Sequence, residues 1–314
     1  MKKILALILL IIFSACDSSF DFESETKQRY TEDEDGDPVI ENVEDTDIHT
    51  FGLGEGGYCY GFNVPEAELA EIDTEILFPT SSNLSLFLPQ VGSQGTQGSC
   101  VAWATGYYLK SFHENFEDFI NNGLVTVNEM SPSFIYNQIK VSDCDNGSVI
   151  QTALDLIASE GVPDLSVMPY NQNDCDTQPT ETQKILATPN KIESYAYLDP
   201  DKVYEQTKAF LLDNQPVVIA ISIDRSYFGA KDENGIHIYR KFKEPSGGHA
   251  MLVVGYDDDM NAFLVVNSWG KEWGNDGFVW IDYKAFKEAG DADSEFNILC
   301  EAWVTKDVIQ DLQT

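Results

Sequence analysis

At 314 residues with 43% of them apolar, the chain has material for one large domain and a tail, and two full domains would be a squeeze. Its 53 acidic side chains against 19 basic ones leave a formal net charge of -34, which repels the phosphates of nucleic acid and of anionic membrane surfaces. Nucleic-acid binding is thereby excluded, and the charge otherwise reads as a solvated acidic surface.

The chain opens with a positive region at Lys2 and Lys3, a continuous apolar run from Ile4 to Phe13, and the small residues Ser14 and Ala15 before Cys16. That is the pattern of a secretory signal over residues 1–15, and its apolar run is too short to span a bilayer as a stable helix. Ser14-Ala15-Cys16 resembles a bacterial lipobox, with Phe13 where leucine is more usual. The resemblance implies that Cys16 is lipidated and becomes the mature N-terminus. The protein is then exported, periplasmic or on the cell surface, and touches a bacterial membrane only through its lipid.

Residues 16–50 are polar and acidic, with the run Glu32-Asp33-Glu34-Asp35-Gly36-Asp37-Pro38 and few side chains able to build a core, so they read as a disordered tether. The spacing of Asp33, Asp35 and Asp37 is similar to that of a calcium loop, but the distal glutamate is misplaced and no metal is expected there. Residues 51–78 carry a glycine-rich piece and then a short helix beginning at Pro65.

Helical periodicity follows Cys100 (Val101, Ala104, Tyr107, Tyr108, Phe112), resumes after Ser131-Pro132, where serine precedes a proline at the first helical position, and resumes again over Val149 to Ala158. Beyond Pro216 the pattern turns strand-like: Val217 to Ile223, His249 to Tyr256, Phe263 to Val266, Phe278 to Ile281 and Ile298 to Val304. Helices first and strands later predict an α+β fold in two lobes or layers.

A thiol becomes a useful nucleophile as its thiolate, which a helix N-terminus and a neighbouring imidazole both stabilise. Cys100 has that setting, following Gly98-Ser99 and opening an apolar helical stretch, although a buried structural cysteine is the commoner case. Four histidines are candidates for its base. His49 lies in the acidic tether. His113 sits more than three turns along the helix that Cys100 opens and cannot fold back to it. His237 lies in a charged stretch between strands and is expected to be exposed. His249 follows the diglycine Gly247-Gly248 at the mouth of an apolar strand and is well placed to face a cleft.

Gln94-Gly95-Thr96-Gln97-Gly98-Ser99-Cys100, Gly248-His249-Ala250, Asn267-Ser268-Trp269-Gly270 and Trp273-Gly274 followed by Gly277-Phe278 together resemble the papain-like cysteine peptidases. The motifs stand in the family's order over roughly 79–306, and the 149 positions from Cys100 to His249 match the family's usual separation of about 130 to 150. The resemblance implies a papain-like two-lobed fold, a helical lobe carrying the nucleophile and a β-barrel-like lobe carrying histidine and asparagine. It implies an endopeptidase acting through a covalent thioester, with Cys100 as nucleophile, His249 as base, Asn267 orienting His249 and Gln94 donating to the oxyanion. Trp269 would shield the His249–Asn267 hydrogen bond, and no cofactor or metal is implied.

Substrate binding by the same resemblance falls to Asn146, Gly147 and Ser148, whose backbone would pair with an extended peptide, and to Gly248. Ser148 stands where the family usually has glycine, and Ala220 is a candidate for lining a side-chain pocket. Gln97 stands where the family commonly has cysteine, so the usual brace of the nucleophile loop is missing. Residues 51–78 form a short N-terminal extension or propeptide, without the family's long inhibitory helix, and 307–314 a C-terminal tail. With Cys16 lipidated and Cys100 free, four cysteines remain for two disulfides, of three possible connectivities. Cys144 with Cys175 and Cys59 with Cys300 are favoured; the second pair staying reduced is the alternative. The partners expected are peptide or protein substrates of a monomer. An exopeptidase, a transpeptidase or a catalytically silent surface binding protein are the competing functions.

Overall fold

The segment Val217-Val218-Ile219-Ala220-Ile221-Ser222-Ile223 has hardly a polar face to give to solvent. In the computed structural model, which describes residues 29–32, 38–41, 68–232, 234–243 and 247–308, it is a strand buried along its whole length. In chain order the strands are β1 (Arg29–Glu32), β2 (Pro38–Glu41), β3 (Ser81–Asn83), β4 (Ile192–Tyr197), β5 (Val217–Ile223), β6 (Ile238–Tyr239), β7 (Gly247–Asp257), β8 (Ala262–Val266), β9 (Phe278–Asp282) and β10 (Leu299–Asp307). The α-helices are α1 (Cys100–Ala102), α2 (Ser111–Asn122), α3 (Pro132–Ile139), α4 (Ile150–Ser159), α5 (Glu181–Ala187), α6 (Val203–Leu212) and α7 (Lys284–Lys287). A π-helical stretch, Trp103–Lys110, joins α1 to α2.

The main sheet has the order β4-β10-β5-β7-β8-β9-β6, with β3 also pairing to β7; only the β6–β9 pair is parallel. Alternation of side chains sorts β5 and β7 between two cores. Val218, Ala220, Ala250 and Leu252 pack with α1, the π-helical stretch, α3 and α4. Val217, Ile219, Ile221, Met251 and Val253 pack on the other face, toward α6. Each valine, isoleucine, leucine or methionine side chain so buried contributes about 1.5 to 3 kcal/mol, and the β-branched valines and isoleucines of β5 favour the strand over a helix. The helices before the sheet and the sheet itself form the two lobes of the expected α+β architecture. Ser131 caps α3 as expected, its hydroxyl accepting from Phe134 N–H at 3.1 Å.

Several expectations are corrected. The strand expected to begin at His249 begins two residues earlier: Gly247 and Gly248 are already in β7, paired with Ile223 and Ser222. The tether is not structureless throughout, because β1 and β2 pair antiparallel from Arg29↔Glu41 to Glu32↔Pro38. No helix forms over 68–78; instead Ala70 is buried, and its N–H donates to the Tyr197 carbonyl at 2.6 Å, a strand-like contact that fixes the extension's end onto β4. Strand β10 runs on to Asp307, whose carboxylate meets Lys110 Nζ at 2.6 Å, so the tail starts later than expected. His237 is buried, with its ring Nε2 2.8 Å from the Tyr227 carbonyl, and burial holds its imidazole below the ordinary histidine range. The signal, Cys16, His49, Cys59, Pro65 and the 309–314 end lie outside the described residues. Among the described residues no helix is long and apolar enough to cross a membrane.

Candidate active site

Cys100 is the first residue of α1 and is fully buried, and its sulfur is not part of a disulfide. Ser99 precedes it without capping the helix by its side chain, so the hydroxyl is spent elsewhere. Gly98 is dictated by close approach: a Cβ there would stand 2.7 Å from the Asp145 carbonyl oxygen and 3.0 Å from Gly147 N. Its own N–H donates to the Cys144 carbonyl at 2.9 Å.

The sheet brings the second half of the site to this helix start. His249 on β7 pairs with Ile221 of β5, and the N–H of the next residue, Ala250, points at Cys100 Sγ from 3.4 Å. His249 is fully buried, and its Nε2 lies 2.7 Å from Asn267 Oδ1. The same oxygen accepts from Ser268 N–H at 2.7 Å, which identifies it as the amide's acceptor. Asn267 Oδ1 can only accept, so Nε2 carries the proton and Nδ1 is left as the basic nitrogen of the neutral ring. Asn267 itself is held through its backbone, with N–H to Gly277 O at 2.9 Å and its carbonyl accepting from Tyr108 OH at 2.8 Å.

Trp269 stacks on the His249 ring at 4.7 Å, and Phe228 stacks on Trp269 at 5.0 Å with an interplanar angle of 5°. Tyr227 and Trp273 stand edge-on to Trp269 at 5.6 and 5.0 Å. This aromatic wall keeps water off the imidazole–amide bond. Trp269 was legible from its motif. Phe228 and Tyr227 were not, because they come from the segment after β5 that carries no motif.

Gln94 is buried on the neighbouring loop. Ser268 Oγ donates to its Oε1 at 2.6 Å, and its Nε2 donates to the Gln97 carbonyl at 3.0 Å. Two contacts thus set the amide's orientation and use one of the two Nε2 hydrogens. The loop backbone is fastened to the asparagine loop by Gln94 N–H to Ser268 O at 2.8 Å and Gly270 N–H to Gly92 O at 3.0 Å. Tyr108 OH also accepts from Gly92 N–H at 3.2 Å and so ties both loops to the π-helical stretch.

The other expected residues take distinct places. Asn146 uses its side chain locally, Nδ2 donating to Ser142 Oγ and Asp143 Oδ1 at 2.6 and 2.5 Å. Gly147 and Ser148 are buried directly behind Gly98, and Gly147 has φ 70°, a conformation that suits glycine. Gly248 is in the ladder of β7, one residue before His249. Cys144 and Cys175 form a disulfide across a separation of 31 residues, as expected. Cys300 is also disulfide-bonded, to a partner outside the described residues.

One electrostatic expectation is corrected. The helix start was expected to lower the thiol pKa, but burial pushes Cys100 up to about 12, against smaller lowering effects from the N–H groups of Ala250, Val101 and Cys100. Desolvation of a thiolate outweighs three hydrogen bonds.

The sequence and fold have known counterparts. The family model described as papain family cysteine protease matches residues 82–296. An uncharacterized peptidase C1-like protein of Acanthamoeba polyphaga mimivirus is 28% identical over 236 residues, covering 70% of this chain and 72% of the relative. Ananain of Ananas comosus is 26% identical over 198 residues, 60% of this chain and 51% of the relative. The chain thus spans about half the length of such plant relatives. Among solved structures, xylellain, a cysteine protease from Xylella fastidiosa, superposes with a TM-score of 0.64 at 24% identity, over 82% of this chain and 98% of that one.

Proposed function

Because the chain belongs to the papain family of cysteine proteases, we propose that it hydrolyses internal peptide bonds with Cys100 as nucleophile, His249 as base and Asn267 as the group that orients the base. The observation that carries the proposal is the convergence of three elements. The 2.7 Å His249–Asn267 hydrogen bond selects Nδ1 as base, and Ala250 N–H lies 3.4 Å from Cys100 Sγ at the start of α1.

In the proposed reaction His249 Nδ1 takes the Sγ proton, and the thiolate attacks the scissile carbonyl carbon. Negative charge moves to the carbonyl oxygen, which accepts from the second Nε2 hydrogen of Gln94 and from Cys100 N–H. Collapse breaks the C–N bond as the imidazolium gives its proton to the leaving amine, leaving a thioester on Cys100. Water, deprotonated by His249, then attacks the thioester, and the acid departs as the thiol recovers its proton. An extended peptide pairing with the backbone at 146–148 supplies the substrate's register.

Export and lipid anchoring belong to the same proposal, supported by Lys2-Lys3, the apolar run to Phe13 and Ser14-Ala15-Cys16. Metabolic labelling with a fatty acid is expected to mark the full chain and spare Cys16→Ala; equal labelling of both overturns the anchor alone. For the chemistry, a peptide library is offered to the protein and to Cys100→Ala. The variant is expected to lose turnover by about 10³-fold or more. Equal turnover by the two proteins contradicts the proposal.

A further inference from the structure

The loop that carries Gln94 lacks a cysteine at position 97, and the structure shows what holds it instead. Tyr170, more than 70 residues away in sequence, reaches three of its residues. Its hydroxyl lies 2.7 Å from the Gln94 carbonyl oxygen, 3.1 Å from Gln97 Oε1 and 2.7 Å from Ser99 Oγ. The hydroxyl has one hydrogen, which goes to the nearer acceptor, the Gln94 carbonyl, with Gln97 Oε1 sharing it at longer range; Ser99 OH donates to the Tyr170 oxygen. This explains why Ser99 does not cap α1.

The neighbours of Tyr170 complete the grip. Gln97 Nε2 donates to the carbonyls of Asn171 and Gln172 at 3.4 Å each, and Gln172 Oε1 accepts from Thr96 N–H at 3.1 Å. Gly95, at φ 59°, admits Gln172: a Cβ there would overlap its amide. The tyrosine ring is anchored edge-on against Trp103 at 4.9 Å, so the hydroxyl has little freedom to leave the loop. Gln94, Gln97 and Ser99, the residue before Cys100, are thus located by one phenol.

We propose that Tyr170 is a positioning residue for the oxyanion site: it acts through the Gln94 backbone and the Ser99 side chain to hold the Gln94 amide and the Cys100 N–H at one fixed separation. The inference rests on the peptidase reading and extends it to a residue that touches neither substrate nor the reacting sulfur. It separates two properties of the site. Formation of the thiolate depends on His249 and Asn267, whereas stabilisation of the oxyanion depends on the loop that Tyr170 holds.

The test uses Tyr170→Phe, which keeps the ring packing and removes only the hydroxyl. Two reactions of Cys100 are compared: alkylation by a haloacetamide, which needs the thiolate but forms no oxyanion, and hydrolysis of a peptide amide, which needs both. A net hydrogen bond of ordinary strength corresponds to a loss of about tenfold in kcat, with KM held within about twofold. The alkylation rate and its pH profile are expected to stay as in the unaltered protein. In a Gln94→Ala background, the same Tyr170→Phe change is expected to cost less than in the unaltered protein, because the part transmitted through the Gln94 amide is already lost and only the part through Ser99 and the Cys100 N–H remains. Unchanged kcat in Tyr170→Phe overturns the inference, as does a fall in alkylation matching the fall in hydrolysis, or full additivity with Gln94→Ala. If the unaltered protein is alkylated yet hydrolyses no peptide, it is the peptidase reading that fails, and this inference with it.

Discussion

The two halves of the site are built by different means. His249 is located by backbone: β7 is hydrogen-bonded to β5 on one side and β8 on the other, and the register Ile221↔His249 follows from the ladder. The nucleophile's loop has only scattered backbone bonds, Gln94 N–H to Ser268 O, Gly98 N–H to Cys144 O and Gly270 N–H to Gly92 O, and leans on side chains for the rest, with Tyr170, Gln97, Gln172, Ser268 and Tyr108 each supplying a polar contact to it or to its anchor. A ladder tolerates substitution because its hydrogen bonds belong to no particular residue. A web of side chains does not, and its failures are felt in chemistry before they are felt in stability.

Three variants press on that contrast. The largest effect is expected for Gln94→Ala, which removes an oxyanion donor: kcat should fall about 10²- to 10³-fold while the thiol's alkylation rate is preserved. Steady-state kinetics beside alkylation kinetics check it, and loss of both would mean that the loop also sets the thiolate. Next comes the Tyr170→Phe loss of about tenfold, confined to hydrolysis. The third effect falls on stability. Opening the Cys144–Cys175 bridge in a double serine variant frees a loop of 31 residues and is expected to cost about 3 to 4 kcal/mol, read from the urea midpoint. Native-state hydrogen exchange should then rise around Gly98 and Cys144 while β5 and β7 stay protected. Faster exchange in β7 to the same degree would show that the halves are not independently held.

What was legible in the sequence follows the same division. Strand β5 was read to the residue and β7 nearly so, because all-apolar runs between turn signals leave few alternatives. Cys100, His249, Asn267, Gln94 and Trp269 were marked by compact motifs, and the structure gathers all five. Tyr170 and Gln172 were invisible, since a contact spanning more than 70 positions leaves no periodic trace and tyrosine is at home in any core. The burial of His237 was missed for a related reason: its partner is a backbone carbonyl, Tyr227 O, which no side-chain pattern announces. The thiol's electrostatics were misjudged because a helix start is visible in sequence and desolvation is not.

The central claim is that Cys100 carries the acyl group of a cleaved peptide. Rapid acid quenching of the protein with a slow peptide ester, followed by mass analysis of the fragments, tests it directly. The account predicts a single thioester adduct of the acyl portion on the fragment containing Cys100, absent in Cys100→Ala. Sustained hydrolysis with no adduct on that fragment, or an adduct on another residue, would contradict it.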